Sequence, residues 1–437
     1  MRATDAGAGA TLGTWLARLE VLHPSEIELG LERVASVWRR LGARRPGGRV
    51  ITVAGTNGKG STIATLDAVL RAHGLRTATT TSPHLVRFNE RIVVDGEAAT
   101  DAAIVAAFER IEAARGETSL TYFEFAILAA LELMADAQPD VALLEVGLGG
   151  RLDAVNLIDA DVAIITAVDL DHQAWLGDTR EAIGAEKAGI LRPGRPLVCG
   201  DRAPPASVLA AARALGAPAI CLGSDFDLRE DAGGWHFHGA RAGAEAVDLR
   251  GLPTCALHAD DVAAALQALL AAGFELDAAA TGRALGNLSL AGRRQRGRID
   301  GVEVLLDVAH NPHAARALAT ALPADGPLFA VFGTFADKDA AGMLAAFGDR
   351  FAGLWLVDTP GPRGRAASAL AAALDGVTGA TPVQVAGPAL AGLDAALAAA
   401  RAAGGRVLVL GSFTLVGAVL GAHRLAGTPV IEEAPEQ

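Results

Sequence analysis

The sequence predicts an α/β fold of two domains. An N-terminal, mostly parallel sheet domain is organised around a phosphate-binding loop, and a smaller Rossmann-like α/β domain follows it. Three observations carry this expectation. Apolar runs such as "RVITVAG", "DVALLEVG" and "DVAIITAVD" alternate with segments of helical period, as parallel strands covered on both faces do. A glycine loop joins the first of these runs directly to a helical segment. The 437 residues also exceed what one ordinary core organises.

The loop lies in "VITVAGTNGKGST", residues 50–62. The usual phosphate loop places four free residues between its first glycine and Gly-Lys-Ser/Thr. Here only Thr56 and Asn57 separate Gly55 from Gly58-Lys59, and Gly60 intervenes before Ser61. The context still argues for phosphate. A buried strand enters the loop, and the helix "STIATLDAVLRAHG", ending at Gly74, leaves it, so backbone N–H groups and a helix N-terminus point into the concavity. Lys59 supplies a cation for the β- and γ-phosphates, Ser61 a hydroxyl near a metal, and Thr56, Asn57, Gly58 and Gly60 the cradle.

The next strand, "DVALLEVG", ends at Glu145, whose carboxylate suits a hard cation such as Mg²⁺. "DVAIITAVD" is followed by "DHQAWLG", with His172 just past the strand. Ligands of a parallel sheet collect at the carboxyl ends of its strands. The stretch "NLSLAGRRQRGRIDG", residues 287–301, is polar, basic and glycine-rich, and a domain boundary is expected near Arg296, giving domains 1–296 and 297–437. Beyond it, "VEVLLDVAH", "GPLFAVFG", "GLWLVD" and "RVLVLGS" read as strands of a second sheet.

Composition narrows the function. A net charge of −12 argues against broad nucleic-acid binding, and arginines such as Arg39, Arg40, Arg44, Arg45 and Arg49 read as solvated surface. Cys199, Cys221 and Cys255 have neither metal-ligand nor redox spacing, which fits a reducing cytoplasm. The N-terminus lacks the apolar core of a signal peptide. Residues 407–422, the longest uncharged stretch, read as strand, turn and helix start rather than a membrane span. A soluble cytoplasmic protein with neither nucleic acid nor membrane as partner is expected.

"GTNGKGS" resembles the ATP loop of the Mur-type ligases, and the whole motif set resembles the folylpolyglutamate synthase and dihydrofolate synthase family. "LGLERV", "TSPHLVRFNERI", "LTYFEF", "LLEVGLGGRLDAVN", "DHQAWLG", "EAIGAEKAGI", "DVAHNPH" and "GSF" occur in order along nearly the entire chain. The resemblance implies an ATP-dependent amide ligase that adds L-glutamate to dihydropteroate and then to reduced folates. ATP would convert an acceptor carboxylate into an acyl phosphate, which the amine of glutamate attacks.

The resemblance also assigns residues. It implies Mg²⁺ ligation by Ser82, Glu145 and His172, admits an accompanying monovalent cation, and makes Lys187 a carbamate formed with CO₂. Lys59, His172, Lys187 and His310 receive catalytic roles, His310 near the incoming glutamate. Arg293 and Asp307 would contact ATP. The dihydropteroate pocket falls on Glu28, Leu29 and Gly30, on Thr121, Tyr122, Phe123 and Glu124, and on Leu152, Asp153 and Ala154. Phe123 offers a face to a flat ring, and Asp153 or Glu124 could accept hydrogen bonds from pterin nitrogens. The family has Asp where Glu28 stands, Pro-Gly-Arg where Ala291-Gly292-Arg293 stands, and a nucleotide-associated Asn where Asp261 stands. The residues before Asp337-Lys338-Asp339 also differ, and that cluster reads as solvated.

Two other readings remain. A peptidoglycan-type Mur ligase would carry a nucleotide-sugar domain ahead of the loop, for which the residues before Gly55 leave little room. A non-catalytic ATP-binding protein would have no need of the Lys59, Ser82, Glu145, His172 and Lys187 set. The substrates are small molecules, and a monomer is expected.

Overall fold

The computed structural model describes residues 10–23, 28–241, 245–323, 325–423 and 425. They fall into two compact units. One comprises the described residues up to Pro83 with Phe88–Leu288; the other comprises His84–Arg87 with those from Ser289 onward. Among the described residues no helix is long and apolar enough to cross a membrane.

In the first unit, helices α1 (Leu12–Leu22) and α2 (Glu32–Arg40) precede strand β1 (Arg49–Ala54), which runs through the glycine loop into α3 (Lys59–Ala72). Strand β2 (Thr77–Thr80) is followed by the short β3 (Ile92–Val94) and β4 (Glu97–Ala98), then by α4 (Asp101–Arg115) and α5 (Tyr122–Ala137). Next come β5 (Val141–Glu145), β6 (Val162–Ile165), α6 (Gln173–Leu176), α7 (Arg180–Lys187), β7 (Leu197–Cys199), α8 (Ala206–Ala214) and β8 (Ala219–Cys221). The sheet has the order β4-β3-β2-β5-β1-β6-β7-β8. From β2 to β8 every pairing is parallel, while β3 and β4 add antiparallel at one edge.

The central strands are buried along nearly their whole length, which is why they read as unbroken apolar runs rather than alternating ones. On one side Trp15 of α1, Phe108 of α4 and Phe125 of α5 meet with ring centroids 5.5–6.2 Å apart. Thr121 caps α5 through a reciprocal pair with Glu124, so this helix starts where the sequence "LTYFEF" allows both bonds.

Past β8 the unit carries an antiparallel sheet of its own, β9 (Asp227–Asp231), β10 (Gly234–Ala240) and β11 (Ala246–Leu252), then α9 (Ala259–Ala271) and α10 (Ala278–Gly286). In β10, buried Trp235, Phe237 and Gly239 alternate with the more exposed His236 and His238, the mark of a sheet with one covered face. Gln267 of α9 fastens this sheet: its side chain donates to the Ala240 carbonyl (2.8 Å) and accepts from the Ala240 N–H (3.1 Å).

The second unit contains β12 (Gln295–Ile299), β13 (Val302–Asp307), α11 (Pro312–Ala321), β14 (Leu328–Phe332), α12 (Ala340–Ala345) and β15 (Phe351–Val357). It continues with α13 (Ala367–Ala373), β16 (Val383–Gly387), α14 (Ala389–Ala403), β17 (Arg406–Leu410) and α15 (Phe413–Ala422). Its sheet runs β12-β13-β17-β14-β15-β16, parallel apart from β12. Separate apolar clusters cover the two faces. Arg296 lies inside β12, because Gln295–Ile299 pairs antiparallel with β13 and is held in the second unit. Leu85, from the segment His84–Arg87, packs in the same unit against Gly292 and Gly417.

The topology of the first sheet decides what stands beside the glycine loop. β1 has β5 on one side and β6 on the other, and the order reverses direction at β1, which opens a crevice at the strand ends. Val53 is level with Glu145 and Ala54 with Ile165. Gly55 can carry no side chain there: a Cβ would lie 1.7 Å from the Thr166 hydroxyl. That hydroxyl donates to the Asn57 carbonyl (2.6 Å) and so cannot turn away cheaply. Gly55→Ala is expected to cost roughly 1–3 kcal/mol of stability by overpacking. In urea melts the Gly55→Ala/Thr166→Ala double variant should lose less than the sum of the single losses. Simple additivity would show that the two side-chain positions do not compete for the same space.

Candidate active site

The loop after β1 is fixed by backbone rather than by apolar packing. The Thr56 N–H donates to the Ala167 carbonyl (2.8 Å). The Thr56 hydroxyl donates to the Asp169 carbonyl (2.9 Å) and accepts from the Asp169 N–H (3.0 Å). Gly58 is left-handed (φ 88°), and Asp261 of α9 lies so close that a Cβ on Gly58 would come within 2.1 Å of its Oδ1. Asp261 thus stands directly against the phosphate loop. Lys59 opens α3, and its ammonium donates to the Gly55 and Thr56 carbonyls (3.0 and 3.3 Å), folded over the loop. Ser61 is buried one residue beyond Gly60 in the first turn. Thr56, Asn57, Gly58, Lys59, Gly60 and Ser61 therefore form one strand–loop–helix junction, as the sequence predicts.

The neighbouring strands bring up the remaining groups. Glu145 ends β5 with 5% of its surface exposed, and its Oε2 accepts from the Ser82 N–H (3.1 Å) just past β2. Beyond β6, His172 takes a left-handed backbone (φ 52°) and caps the short α6. The segment leading to it is anchored by Asp201, whose carboxylate accepts from the Val168 N–H and from the Arg180 guanidinium, both at 2.9 Å. Lys187 ends α7 and is 3% exposed. Burial, and secondarily the charge of Lys59, push its pKa down to about 7 against the pull of Asp171 and Asp153. Lys59, Asp153, Asp171 and Lys187 consequently share one electrostatic neighbourhood at the carboxyl edge of the sheet. Among the described residues no three His, Cys, Asp or Glu side chains gather into a ready metal cage.

Arg91 belongs to this region, although only its motif and not the residue stands out in the sequence. Its guanidinium lies over the Phe88 and Tyr122 rings, 5.6 Å from each centroid. Burial lowers its pKa, while Tyr122, Glu145 and Glu90 act in the opposite sense. The available signal was an arginine immediately ahead of the apolar "IVV" of β3, where a solvated side chain is the poorer fit.

The residues expected to hold a flat acceptor divide by how their polar atoms are used. Glu28 is exposed and pairs with His23 (3.0 Å) and with Arg33, which also reaches Glu124 (3.0 Å). The segment Glu28, Leu29 and Gly30 is thereby connected to the start of α5. Glu124 gives its other oxygen to the Thr121 N–H (2.8 Å) and hydroxyl (3.1 Å). Phe123 lies against the loop after β5, where a Cβ on Gly147 would come within 2.5 Å of its ring. Tyr122 meets Phe88 edge-on at 6.0 Å. Leu152 is half-buried and Ala154 is buried beside Asp153.

Asp153 departs from the role of a simple ring acceptor. Its carboxylate accepts from the backbone N–H groups of Gly147 (3.0 Å), Leu148 (2.9 Å) and Val155 (3.0 Å). Burial raises its pKa to about 6, with these bonds acting in the opposite sense. The side chain thus fastens the loop that follows Glu145, and Glu124 is similarly occupied by its cap and Arg33.

In the second unit, Asp307 ends β13 and accepts from the N–H groups of Arg294 (2.9 Å) and Ala309 (2.8 Å). Burial raises its pKa, partly offset by Arg293. The Arg293 guanidinium lies 5.0 Å from the Phe413 ring centre, and the His310 ring lies 5.8 Å from the same ring. His310 Nδ1 donates to the Val308 carbonyl (3.0 Å). Arg293, Asp307 and His310 are therefore neighbours at one strand end. The Asp337-Lys338-Asp339 cluster is less solvated than expected. Lys338 is 8% exposed, Asp337 pairs with Arg363 (2.6 Å), and Asp339 caps α12.

Because Asp153 holds three backbone groups of one loop, its replacement should act on both acceptors of the expected chemistry. Asp153→Asn puts an amide donor where an N–H needs an acceptor, at a cost of roughly 1–3 kcal/mol. kcat/KM for dihydropteroate and for a reduced folate should fall together, alongside a lower melting temperature. A loss confined to dihydropteroate, at unchanged stability, would return Asp153 to a direct ring contact.

The Mur ligase middle domain matches residues 53–197, and the Mur ligase glutamate ligase domain matches residues 292–413. The dihydrofolate synthase/folylpolyglutamate synthase of Escherichia coli K12 is 42% identical over 416 residues, covering 94% of this chain and 96% of its own. The folylpolyglutamate synthase of Lacticaseibacillus casei is 34% identical over 347 residues, covering 75% and 81%. Among solved structures, E. coli FolC in complex with DHPP and ADP superposes with a TM-score of 0.87 at 41% identity, covering 95% of this chain and 98% of that one. The Yersinia pestis bifunctional enzyme with Mn, AMPPNP and L-glutamate bound gives 0.85 at 40% identity, covering 95% and 98%. At this identity and coverage, the chain belongs to the dihydrofolate synthase/folylpolyglutamate synthase family of Mur-type ligases.

Proposed function

We propose that the protein is an ATP-dependent amide ligase that joins L-glutamate to dihydropteroate and adds further glutamates to reduced folates. One observation carries the reading: a buried lysine, Lys187, lies within the electrostatic reach of the phosphate-loop Lys59 and of Asp153, which fastens the loop that follows Glu145. A simple nucleotide-binding scaffold has no use for that arrangement.

The reaction forms an amide, which is unfavourable in water from a free carboxylate. The acceptor carboxylate attacks the γ-phosphorus of ATP, ADP leaves, and an acyl phosphate results. The amine of glutamate then attacks the acyl carbon, the C–O bond to phosphate breaks, and the amine loses a proton. Lys59 and the N–H groups of the loop bind and orient the phosphates. A Mg²⁺ ion would be held by Glu145, Ser82 and His172, a sparse set that fits an ion which keeps waters and takes substrate phosphates as ligands. When bound, it neutralises charge on the transferring phosphoryl group. Arg293 and Asp307 serve the nucleotide and His310 the incoming glutamate, while the pocket residues around Phe123 take the flat acceptor. The protein acts as a monomer on small molecules in the cytoplasm.

Phosphate release tests the reading: it should require ATP, glutamate and a pteroate or folate together. Lys59→Ala should reduce both ligations by at least about two orders of magnitude, the scale of losing a charged phosphate contact, with the melting temperature little changed. Release without an acceptor, or near-normal ligation by the variant, would overturn it.

Lys187 is proposed to carry a carbamate, formed when its neutral amine attacks CO₂ and releases a proton. The sign follows from its lowered pKa. The amine is neutral above about 7 and protonated below it, so the carbamate should be lost as the pH falls through 7. A ¹³C-carbamate NMR signal from ¹³CO₂ should follow the same titration, and Lys187→Ala should abolish the signal. Short carboxylic acids should partly restore ligation to that variant. No Lys187-dependent signal at pH 8, about one unit above that value, would remove the carbamate.

A further inference from the structure

Cys199 and Cys221 lie directly opposite each other on β7 and β8, in the parallel register of the first sheet. Both belong to the same apolar cluster, Cys199 within it and Cys221 packed at its half-buried margin, which places them on one face. Neighbouring strands lie about 4.8 Å apart, inside the Cα separation that a disulfide spans. The thiols also interact: hydrogen bonding from Cys199 to Cys221 lowers the Cys221 pKa, and the same bond raises that of Cys199. The more accessible sulfur therefore has the greater share of the nucleophilic thiolate. Neither residue has a part in the ligase chemistry proposed above.

We propose that Cys199 and Cys221 are a peroxide-oxidisable dithiol that closes reversibly to a disulfide in the folded protein and thereby slows the ligase. The Cys221 thiolate attacks one oxygen of hydrogen peroxide; the O–O bond breaks, and the departing hydroxide takes up a proton to become water. Cys221 is left as a sulfenic acid. The Cys199 sulfur then attacks that sulfur, the S–OH bond breaks, and a second water leaves with the Cys199 proton. Two electrons have passed from the thiols to the peroxide. A cross-strand bond at this spacing lies outside the most relaxed disulfide geometries, which favours ready reduction.

The link to activity runs through the strand end. The Leu222 N–H donates to the Cys199 carbonyl (2.9 Å), and the Gly200 N–H donates to the Ile165 carbonyl (2.8 Å) at the end of β6. Asp201, two residues past Cys199, holds Val168 and Arg180 at the base of the segment carrying His172. A disulfide relaxes to a Cα spacing wider than that of neighbouring strands, so closure pushes β7 and β8 apart at their ends and displaces that support.

The test uses the full chain with Cys255→Ser, treated with hydrogen peroxide while folded and then alkylated. Mass spectrometry should show the loss of two hydrogens and a Cys199–Cys221 cross-linked peptide, with ligation falling several-fold and returning on dithiothreitol. Cys221→Ser should prevent the cross-link and keep ligation insensitive to peroxide. Cys199→Ser should instead collect a dimedone adduct at Cys221. Two thiols that still alkylate after peroxide would overturn the dithiol. A complete cross-link at unchanged ligation would overturn its coupling to the site. A dimedone adduct at Cys199 in the Cys221→Ser variant, with none at Cys221 in Cys199→Ser, would overturn the order of attack.

Discussion

The Thr166 hydroxyl donates to the carbonyl of Asn57, occupying the space where a side chain on residue 55 would stand. Around that bond, Thr56 exchanges two hydrogen bonds with Asp169, and the Thr166 N–H continues the ladder to Ala54 (2.9 Å). The phosphate loop is thus fastened to the end of β6 rather than left to its own glycines. Each of these bonds needs β1 and β6 to be neighbours, which the strand order supplies. The glycines at the two ends of the loop follow from the same crowding. With Thr166 filling the first turn and Asp261 pressed against Gly58, neither end of the loop has room for a Cβ.

A second regularity is the use of buried carboxylates as clamps on backbone. Asp153 holds Gly147, Leu148 and Val155; Asp201 holds Val168 and Ala203; Asp307 holds Arg294 and Ala309; Glu124 holds Thr121. An irregular loop has no ladder of its own, and its N–H groups need acceptors that a carboxylate supplies several at a time. The cost is desolvation, visible in the raised pKa values of Asp153 and Asp307. Loops held this way can flank Glu145 and carry His172 without relying on substrate to order them.

How the site reads from sequence depends on whether a residue's partner is near it in the chain. Lys59 and Ser61 were legible because strand, loop and helix are contiguous, and Glu145 because it ends an apolar run. Arg91 was not, because the groups that join it to the site, Tyr122 and Glu145, are more than thirty residues away. Asp153 was legible as a site residue but not as a clamp, since an acidic side chain looks the same whether it faces a ligand or three N–H groups. The β9–β11 sheet was missed for a related reason. Its strands are covered on one face only, and their pairing is specified by packing onto α9 through Gln267 rather than by an apolar run.

The sequence by itself determined the kind of fold and the kind of chemistry. Unbroken apolar strands between helices require a covered parallel sheet, and a glycine loop between strand and helix requires an anion at its mouth. Residue types then restrict what can be done there. Tertiary structure decided which of those residues meet. Strand order put Ser82, Glu145, the loop and the His172 segment at the ends of four adjacent strands, β2-β5-β1-β6, although they are spread over about 120 residues of chain. Burial then gave Lys187 a different chemistry from a surface lysine, since only desolvation beside Lys59 brings its pKa down to about 7. Local sequence specifies each strand and loop, but adjacency and dielectric are properties of the packed sheet, and no local pattern records them.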